Sequence, residues 1–195
     1  MGVTVDDIQE QILAAAEERF SRYGFAKTTM AEIARDCHMS AGNIYRFFSN
    51  KEEIGARIAC RCMADREQIG REIVGRERLS ASERLETFVA EICLNIHAVA
   101  THELLKSDLV EYISEKRWDL VTAHVATLRS LVAQILEAGV RRDEFAVSDI
   151  DGTAESILTA LKGLLYPRFI TDLSPADLEI KGRALARLLI KGLRK

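Results

Sequence analysis

The side chains with the clearest chemical capability lie in the segment TTMAEIARDCHMSAGNIYRFFSNK, which spans Thr28 to Lys51. Within it, Asn43, Tyr45 and Arg46 present an amide, a phenol and a guanidinium. In the DNA major groove an amide typically hydrogen bonds to adenine and a guanidinium to guanine, while a phenol can reach a phosphate. These residue types predict contact with a duplex.

A helix must place these groups on one side. At about 100° per residue, a helix predicted over Ala41 to Phe48 puts Ile44 and Phe48 on one face, flanked by Phe47. Gly42 joins the polar arc on the opposite face and would let the backbone approach a duplex closely. The arrangement is typical of a short amphipathic helix with a packed face and an exposed polar face.

Phosphate contacts are predicted around this helix. Thr28, Thr29 and Ser40 lie at helix starts, where free N–H groups favour phosphate oxygens. Lys51 adds a point charge at the start of the next helix. From Lys27 to Lys51, four cationic and two anionic side chains give a net charge of +2, against −3 for the whole chain. DNA attraction depends on where the charge lies as well as on the sum.

The bulk properties narrow the class of protein. Four cysteines in 195 residues are too few for a disulfide scaffold, so reduced thiols in a cytoplasm are expected. No secretory leader is expected, and no apolar run approaches the roughly 18 residues of a membrane helix. A P-loop, GxSxG, HExxH or dinucleotide fingerprint is also missing, so the sequence predicts neither an enzyme nor a cofactor.

The elements that position the polar face are predicted to be helices throughout. Apolar residues recur at helical spacing with no period-2 strand, which indicates an all-α fold of about nine helices. We assign residues 1–52 to a helix-turn-helix domain and 53–195 to a helical ligand-binding and dimerisation domain. The start and stop signals are Gly24, Thr29 with Glu32, Ser40, Asn50 with Glu53, Ser80 with Glu83, Gly139, Ser148 with Asp151, and Ser174 before Pro175.

Residues 8 to 58 resemble the DNA-binding domain of the TetR/AcrR family of bacterial repressors. The matching pieces are ILAAA with Phe20, YGF, TTM, IA, and SAGNIYRFF followed by KE. The resemblance implies a homodimer that inserts one recognition helix per subunit into the major groove of a palindromic operator. It also implies a C-terminal domain whose small-molecule ligand releases the DNA. The expected DNA-contacting residues are Lys27, Thr28, Thr29, Ser40, Ala41, Gly42, Asn43, Tyr45, Arg46 and Lys51.

The turn before Ser40 departs from the family pattern. A glycine is commoner at the position of His38, so this turn is expected to be either slightly strained or re-set by the imidazole.

Family architecture implies a four-helix dimer interface built from the last two helices, about 149–166 and 175–193. The interface residues expected are Ile157, Leu161, Leu164, Leu165, Leu185, Leu188 and Leu189. These apolar stripes could equally form the core of a single chain, and both roles can hold at once.

The effector pocket is the least specified part of the sequence. An apolar pocket with a few polar groups is expected, and the candidates are Cys93, His97, Tyr112, Trp118, His124 and Tyr166. Cys93 and His97 share a helix face and could bind zinc with His102 or His124, but two ligands do not make a site. A redox role for Cys60 or Cys62 has equally little support. A helical sensor or adaptor that does not bind DNA specifically is the alternative class of protein.

Overall fold

The computed structural model describes residues 4–101, 108–165, 170 and 172–194, apart from the side chain of Ala100. Every regular element within these residues is a helix, so the predicted all-α fold is confirmed. The helices are α1 (Val5–Tyr23), α2 (Met30–Asp36), α3 (Ala41–Ile44), α4 (Lys51–Val74), α5 (Ala81–Thr101), α6 (Leu109–Lys116), α7 (Trp118–Arg141), α8 (Ile150–Leu165) and α9 (Pro175–Leu193).

Most helix ends follow the predicted local signals. Gly24 ends α1 with a φ of 88°, and its N–H donates to the Phe20 carbonyl. Thr29 and Glu32 form the predicted reciprocal capping box. Ser174 caps α9 by accepting from the Asp177 N–H, with proline in the first turn. Short-range chemistry therefore sets these boundaries.

Two predicted signals were wrong in detail. Asp149, not Ser148, opens α8, because its carboxylate accepts from the Gly152 N–H at 2.9 Å. Gly139 does not end α7, which continues to Arg141. A Cβ at Gly139 would lie 2.6 Å from Cε2 of Phe145, so this glycine is present to admit the aromatic ring.

The contacts divide the chain into two compact units. Unit 1 consists of Met1–Cys62 with Val99–Val121, and unit 2 of Met63–Ala98 with Thr122–Lys195. The sequence analysis placed the boundary between the helix-turn-helix domain and the ligand-binding and dimerisation domain after residue 52. That boundary stays a prediction.

In unit 1, buried side chains of α1, α2, α3 and α4 enclose one core. Its largest members are Ile12, Leu13, Phe20, Ile33, Ile44, Ile54 and Ile58. The Phe25 ring packs on Phe20 at 5.1 Å and on Tyr112 at 5.0 Å between ring centroids. Asp108 accepts from the Phe25 N–H at 2.7 Å and from the Ala26 N–H at 2.8 Å. The loop that precedes α2 is thus held both by the ring contacts of Phe25 and by the carboxylate of Asp108.

In unit 2, a second core is built from α5, α7, α8, α9 and the end of α4. The turn between α4 and α5 is held by side chains as well as by its own backbone. Arg142 donates to the carbonyls of Leu79 at 3.0 Å and Glu77 at 3.1 Å. Glu144 accepts from the Ala81 N–H at 2.8 Å. Arg84, which is buried, donates to the carbonyls of Leu79 and Val74.

None of the helices in the part of the chain that the structure describes combines the length and apolarity needed to cross a bilayer.

Candidate nucleic-acid interface

The helix predicted to carry the base-contacting side chains begins after Ser40, whose hydroxyl accepts from the Asn43 N–H at 3.2 Å. The α-helix itself covers only Ala41–Ile44, shorter than the predicted range to Phe48. Helical turns continue beyond it, because the N–H of Arg46 donates to Asn43 at 3.1 Å and that of Phe48 to Ile44 at 3.1 Å. The tighter i−3 bond at Arg46 ends the regular α-helix without straightening the chain.

The two predicted faces of this segment are present. Ile44 and Phe48 are buried and Phe47 is half-buried. Tyr45 is 54% exposed, Arg46 is exposed and Asn43 is half-buried. The amide, phenol and guanidinium groups make no hydrogen bond or ion pair to another described residue, so they are available to a partner. Around them, Ser40, Ala41 and Gly42 are also exposed.

A strained turn joins α2 to this segment, as the sequence predicted. His38 has a φ of 56°, the left-handed region that glycine occupies without steric cost. The Met39 N–H donates to the Ala34 carbonyl at 2.8 Å and the His38 N–H to Arg35 at 3.0 Å. These bonds fix how α2 and the segment after Ser40 meet.

Thr28 has a different role from the predicted phosphate contact. Thr28 is only 2% exposed, and its hydroxyl donates to the Gly24 carbonyl at 2.8 Å. The expectation is corrected, since a buried hydroxyl bonded inward is not presented to a duplex. Thr29 is exposed, and Lys27 beside it is exposed and makes no ion pair within the described residues.

Lys51 also differs from the point charge predicted for phosphate. Its ammonium group donates to the carbonyls of Phe25 at 2.9 Å, Ala26 at 2.9 Å and Thr28 at 3.0 Å. It lies 4.9 Å from the centroid of the Phe25 ring. An ammonium group has three N–H donors, and all three are used. Lys51 therefore fixes the loop before α2, and we correct its assignment to a positioning residue.

The structure adds a positioning residue that the sequence analysis missed. Arg19 on α1 donates to both carboxylate oxygens of Asp36, at 2.5 and 2.9 Å, and lies 3.4 Å from Glu32. The hydrogen bond from Arg19 lowers the pKa of Asp36. The pKa of Glu32 is also lowered, first by its bonds to Thr29 and then by nearby arginines. Arg19 and Asp36 are 17 residues apart, so no local spacing could reveal the pair.

Five of the six predicted pocket residues are described, and they are divided between the two units. Tyr112 packs in unit 1, where Trp118 is 63% exposed. Cys93 is completely buried, and burial raises the pKa of its thiol to about 12. His97 bonds to the Leu173 carbonyl at 2.7 Å. Tyr166 and the possible metal ligand His102 lie outside the described residues.

His124 is the predicted pocket residue with the most distinctive environment. It is buried, and its Nδ1 lies 2.8 Å from a carboxylate oxygen of Glu67. Burial lowers the pKa of His124, although the hydrogen bond to Glu67 opposes that effect. Nowhere in the described residues do three histidine, cysteine or acidic side chains come together as a metal site.

The predicted dimer residues separate into three classes by burial. Ile157 and Leu161 are enclosed in the core of a single chain and have no surface left to bury, so their assignment to an interface is corrected. Leu164, Leu165, Leu185 and Leu189 are half-buried against that core. Leu188 is 65% exposed and faces outward from α9.

Comparison with protein families gives two matches. Residues 12–58 match the model described as bacterial regulatory proteins, tetR family. Residues 81–186 match the model described as tetracyclin repressor-like, C-terminal domain. The first match includes the segment with the exposed polar face. The second match alone covers more than half of the chain.

Comparison with curated proteins gives four relatives that match over 48 to 55 residues at 34–42% identity, and each is an HTH-type transcriptional regulator. This match spans 22–29% of the length of those relatives. The HTH-type transcriptional repressor BepR of Brucella suis biovar 1 is 26% identical, over 96% of this chain and 92% of its own length.

Among solved structures, a transcriptional regulator from Cytophaga hutchinsonii has a TM-score of 0.78 and 22% identity, covering 95% of this chain and 98% of its own. FadR, a TetR-family repressor of Thermus thermophilus in complex with lauroyl-CoA, has a TM-score of 0.66 and 20% identity. It covers 96% of each chain. Identities this low carry the fold alone.

Proposed function

We propose, since this chain belongs to the tetR family of bacterial regulatory proteins, that it is a homodimeric repressor that releases its operator when a small molecule binds the C-terminal domain. The chain is a DNA-binding transcriptional regulator of that family. The observation that carries the proposal is the polar face of Asn43, Tyr45 and Arg46, which projects from a packed core and has no partner among the described residues.

The base contacts are assigned to Asn43 and Arg46. Arg46 has five N–H donors in a planar fork that matches the two acceptors on the guanine edge, and the Asn43 amide matches adenine. Ala41 and Gly42 leave the approach open, since a Cβ added to Gly42 would meet no atom within 4 Å. These contacts supply the sequence preference.

Phosphate contacts would fix the register of the protein on the duplex. The Tyr45 phenol is exposed and can donate. The Ser40 hydroxyl accepts from the Asn43 N–H and still has its own proton to donate. Thr29 and Lys27 extend this surface along the loop before α2. Thr28 and Lys51 stabilise this surface through their hydrogen bonds to backbone carbonyls in and before the loop that precedes α2.

The dimer contact is assigned to the outward face of α9. Ile180, Ala184 and Leu188 recur every four residues and are exposed, flanked by Leu185 and Leu189. A twofold pair would hold two recognition segments about 34–36 Å apart, one turn of B-DNA, and would require a palindromic operator. An exposed apolar stripe of this kind is typical of an interface.

The effector is assigned to the C-terminal domain by family architecture. The complex of FadR with lauroyl-CoA supports a small-molecule ligand for this fold, although the chemical class of that ligand belongs to FadR. Such a regulator would act in the cytoplasm, where its operator is.

Selection of bound duplexes from a random-sequence pool tests the proposal. We expect an enriched palindrome whose binding weakens steeply with salt, because each neutralised phosphate releases about 0.9 counterions. Arg46→Ala should cost about 1–3 kcal/mol and relax the preference at one base pair of each half-site. Arg141→Ala, which removes an exposed arginine of unit 2, is the charge-matched control. If the protein binds DNA but enriches no sequence, the result would favour the alternative class, a helical sensor or adaptor that does not bind DNA specifically.

A further inference from the structure

A pocket of about 310 Å³ lies in unit 1, beside the turns that follow α3. Its apolar wall is formed by Phe47, Phe48, Ala56 and Leu120. Small-molecule pockets are mostly apolar with a few placed polar groups, and this volume is at the lower end of their usual range. We infer that this Phe47 pocket binds a small aromatic monocarboxylate. The inference goes beyond the proposed function, whose effector is assigned to the C-terminal domain.

The apolar wall favours an aromatic ring as the body of the ligand. Phe48 and Ala56 are buried. Phe47 and Leu120 are half-buried, so they keep apolar surface that an occupant of the pocket can cover. A ring also makes offset or edge contacts with the Phe47 ring that a short alkyl chain cannot make. Because Phe47 directly follows Arg46, the occupant would pack against the segment that carries the proposed base contacts.

The charged side chains that line the pocket differ in their availability. The Glu53 carboxylate accepts from the Ser49 N–H at 2.8 Å. The Arg117 guanidinium donates to both carboxylate oxygens of Asp119, at 3.0 and 2.8 Å. Arg57 is exposed and makes no ion pair within the described residues. Arg57 is therefore the cation that can pair with a ligand.

The Arg57 guanidinium selects the charged group of that ligand. Its planar fork of N–H donors matches the two oxygens of a carboxylate, and such charge-assisted bonds are roughly twice as strong as neutral ones. Glu53 lies one helical turn before Arg57 on α4 and stays negative, so it would repel a second charge on the ligand. One carboxylate on one aromatic ring thus fits both the charge and the wall of the Phe47 pocket.

The thiol of Cys60 lines the same pocket and can report its occupancy. Cys62 is the internal control, because it is also half-buried on α4 but lies about 200° away around the helix. Trypsin cuts between them at Arg61, so mass spectrometry can follow the alkylation of each thiol by iodoacetamide in the full-length protein.

Benzoate is the probe, and chloride keeps the ionic strength constant. A ligand this small should bind with a Kd of about 1–10 mM. At about ten times its Kd, benzoate should slow the alkylation of Cys60 roughly tenfold, because mass action leaves few pockets empty. Alkylation of Cys62 should not change. Benzamide, which lacks the charge, and acetate, which lacks the ring, should each protect Cys60 less than benzoate at equal concentration.

Two arginine variants test the carboxylate contact. Arg57→Gln should raise the benzoate concentration for half-protection of Cys60 by about 3–10-fold, since an exposed charge-assisted pair contributes less than a buried one. Arg35→Gln is the matched control, because Arg35 is also an exposed arginine of unit 1 without an ion pair in the described residues. It should leave the half-protection concentration unchanged.

The inference is overturned if benzoate slows Cys60 no more than Cys62, or if benzamide or acetate protects as well as benzoate. It is also overturned if Arg57→Gln and the parent are protected alike, since benzoate bound elsewhere in the chain would not depend on Arg57. None of these measurements uses DNA. The inference and the proposed function can therefore fail independently.

Discussion

Replacing Lys51 with methionine separates a positioning role from a phosphate contact. Methionine keeps the apolar stem but removes the ammonium group that donates to three backbone carbonyls and lies over the Phe25 ring. The bonds to Phe25 and Thr28 are part-buried and the bond to Ala26 is exposed. Water can replace the exposed bond more readily than the other two.

The magnitude follows from the part-buried acceptor that loses its donor. The Phe25 carbonyl keeps a hydrogen bond from the Thr28 N–H at 3.3 Å, so the Thr28 carbonyl is the part-buried acceptor left without one, which at the low end costs about 1 kcal/mol. Loss of the cation–π contact adds about 0.5 kcal/mol. For a chain of this size, 1 kcal/mol shifts Tm by about 2–4 °C, so Lys51→Met should lower Tm by about 3–6 °C.

Thermal unfolding of the DNA-free protein measures this shift, with Lys27→Met as the control. Lys27 is exposed and makes no ion pair within the described residues, so its substitution should change stability by less than about 0.5 kcal/mol. The reasoning is refuted if Lys51→Met leaves Tm unchanged and lowers the salt slope of DNA binding by about 0.9. That result would restore the phosphate contact predicted from the sequence.

Three further predictions concern the rest of the chain. Gly139→Ala should destabilise the fold by about 1–3 kcal/mol in urea unfolding, because the new methyl group would overlap the Phe145 ring. Burial lowers the pKa of His124 in the folded state, so the unfolded state binds the proton more tightly. Stability should therefore fall as pH decreases through 6.5, and His124→Gln should remove that part of the pH dependence. Cys93, whose pKa is raised to about 12, should resist an aromatic disulfide reagent at pH 8 in the native protein, whereas half-buried Cys60 should react.

Each of these has its own control. Gly192→Ala, where an added Cβ meets no atom within 4 Å, should be neutral or slightly stabilising, and equal losses at Gly139 and Gly192 would contradict the steric argument. An identical pH profile for the parent and His124→Gln would show that another group carries the dependence. Fast modification of Cys93 without denaturant would mean that the core of unit 2 opens readily.

The sequence predicted those features that depend on neighbours along the chain. Gly24, Thr29 and Ser174 were assigned as helix caps because a cap is decided within about four residues. The packed and exposed sides of the segment after Ser40 followed from helical spacing alone. The left-handed φ of His38 was anticipated from the residue type that its position usually holds.

What the sequence could not supply are contacts between distant residues. Lys51 looked like a free charge because the three carbonyls that accept its protons lie 23 to 26 residues away. Gly139 looked like a helix end because glycine is a common C-cap, and although Phe145 is only six residues away, helical spacing does not show that its ring lies against Gly139. Ile157 and Leu161 formed an apolar stripe, and periodicity cannot tell whether such a stripe faces its own chain or a second copy.

The side chains that hold the turn between α4 and α5 have a consequence for the order in which the protein can form. Arg142 and Glu144 are synthesised 62 to 65 residues after the groups they bond. As the chain leaves the ribosome, the turn is at first restrained by its own backbone bonds, by the Ser80–Glu83 cap and by Arg84. We therefore expect the turn to gain its last restraints only when the residues after α7 emerge, so that unit 1, which ends at Val121, completes its core earlier in translation than unit 2.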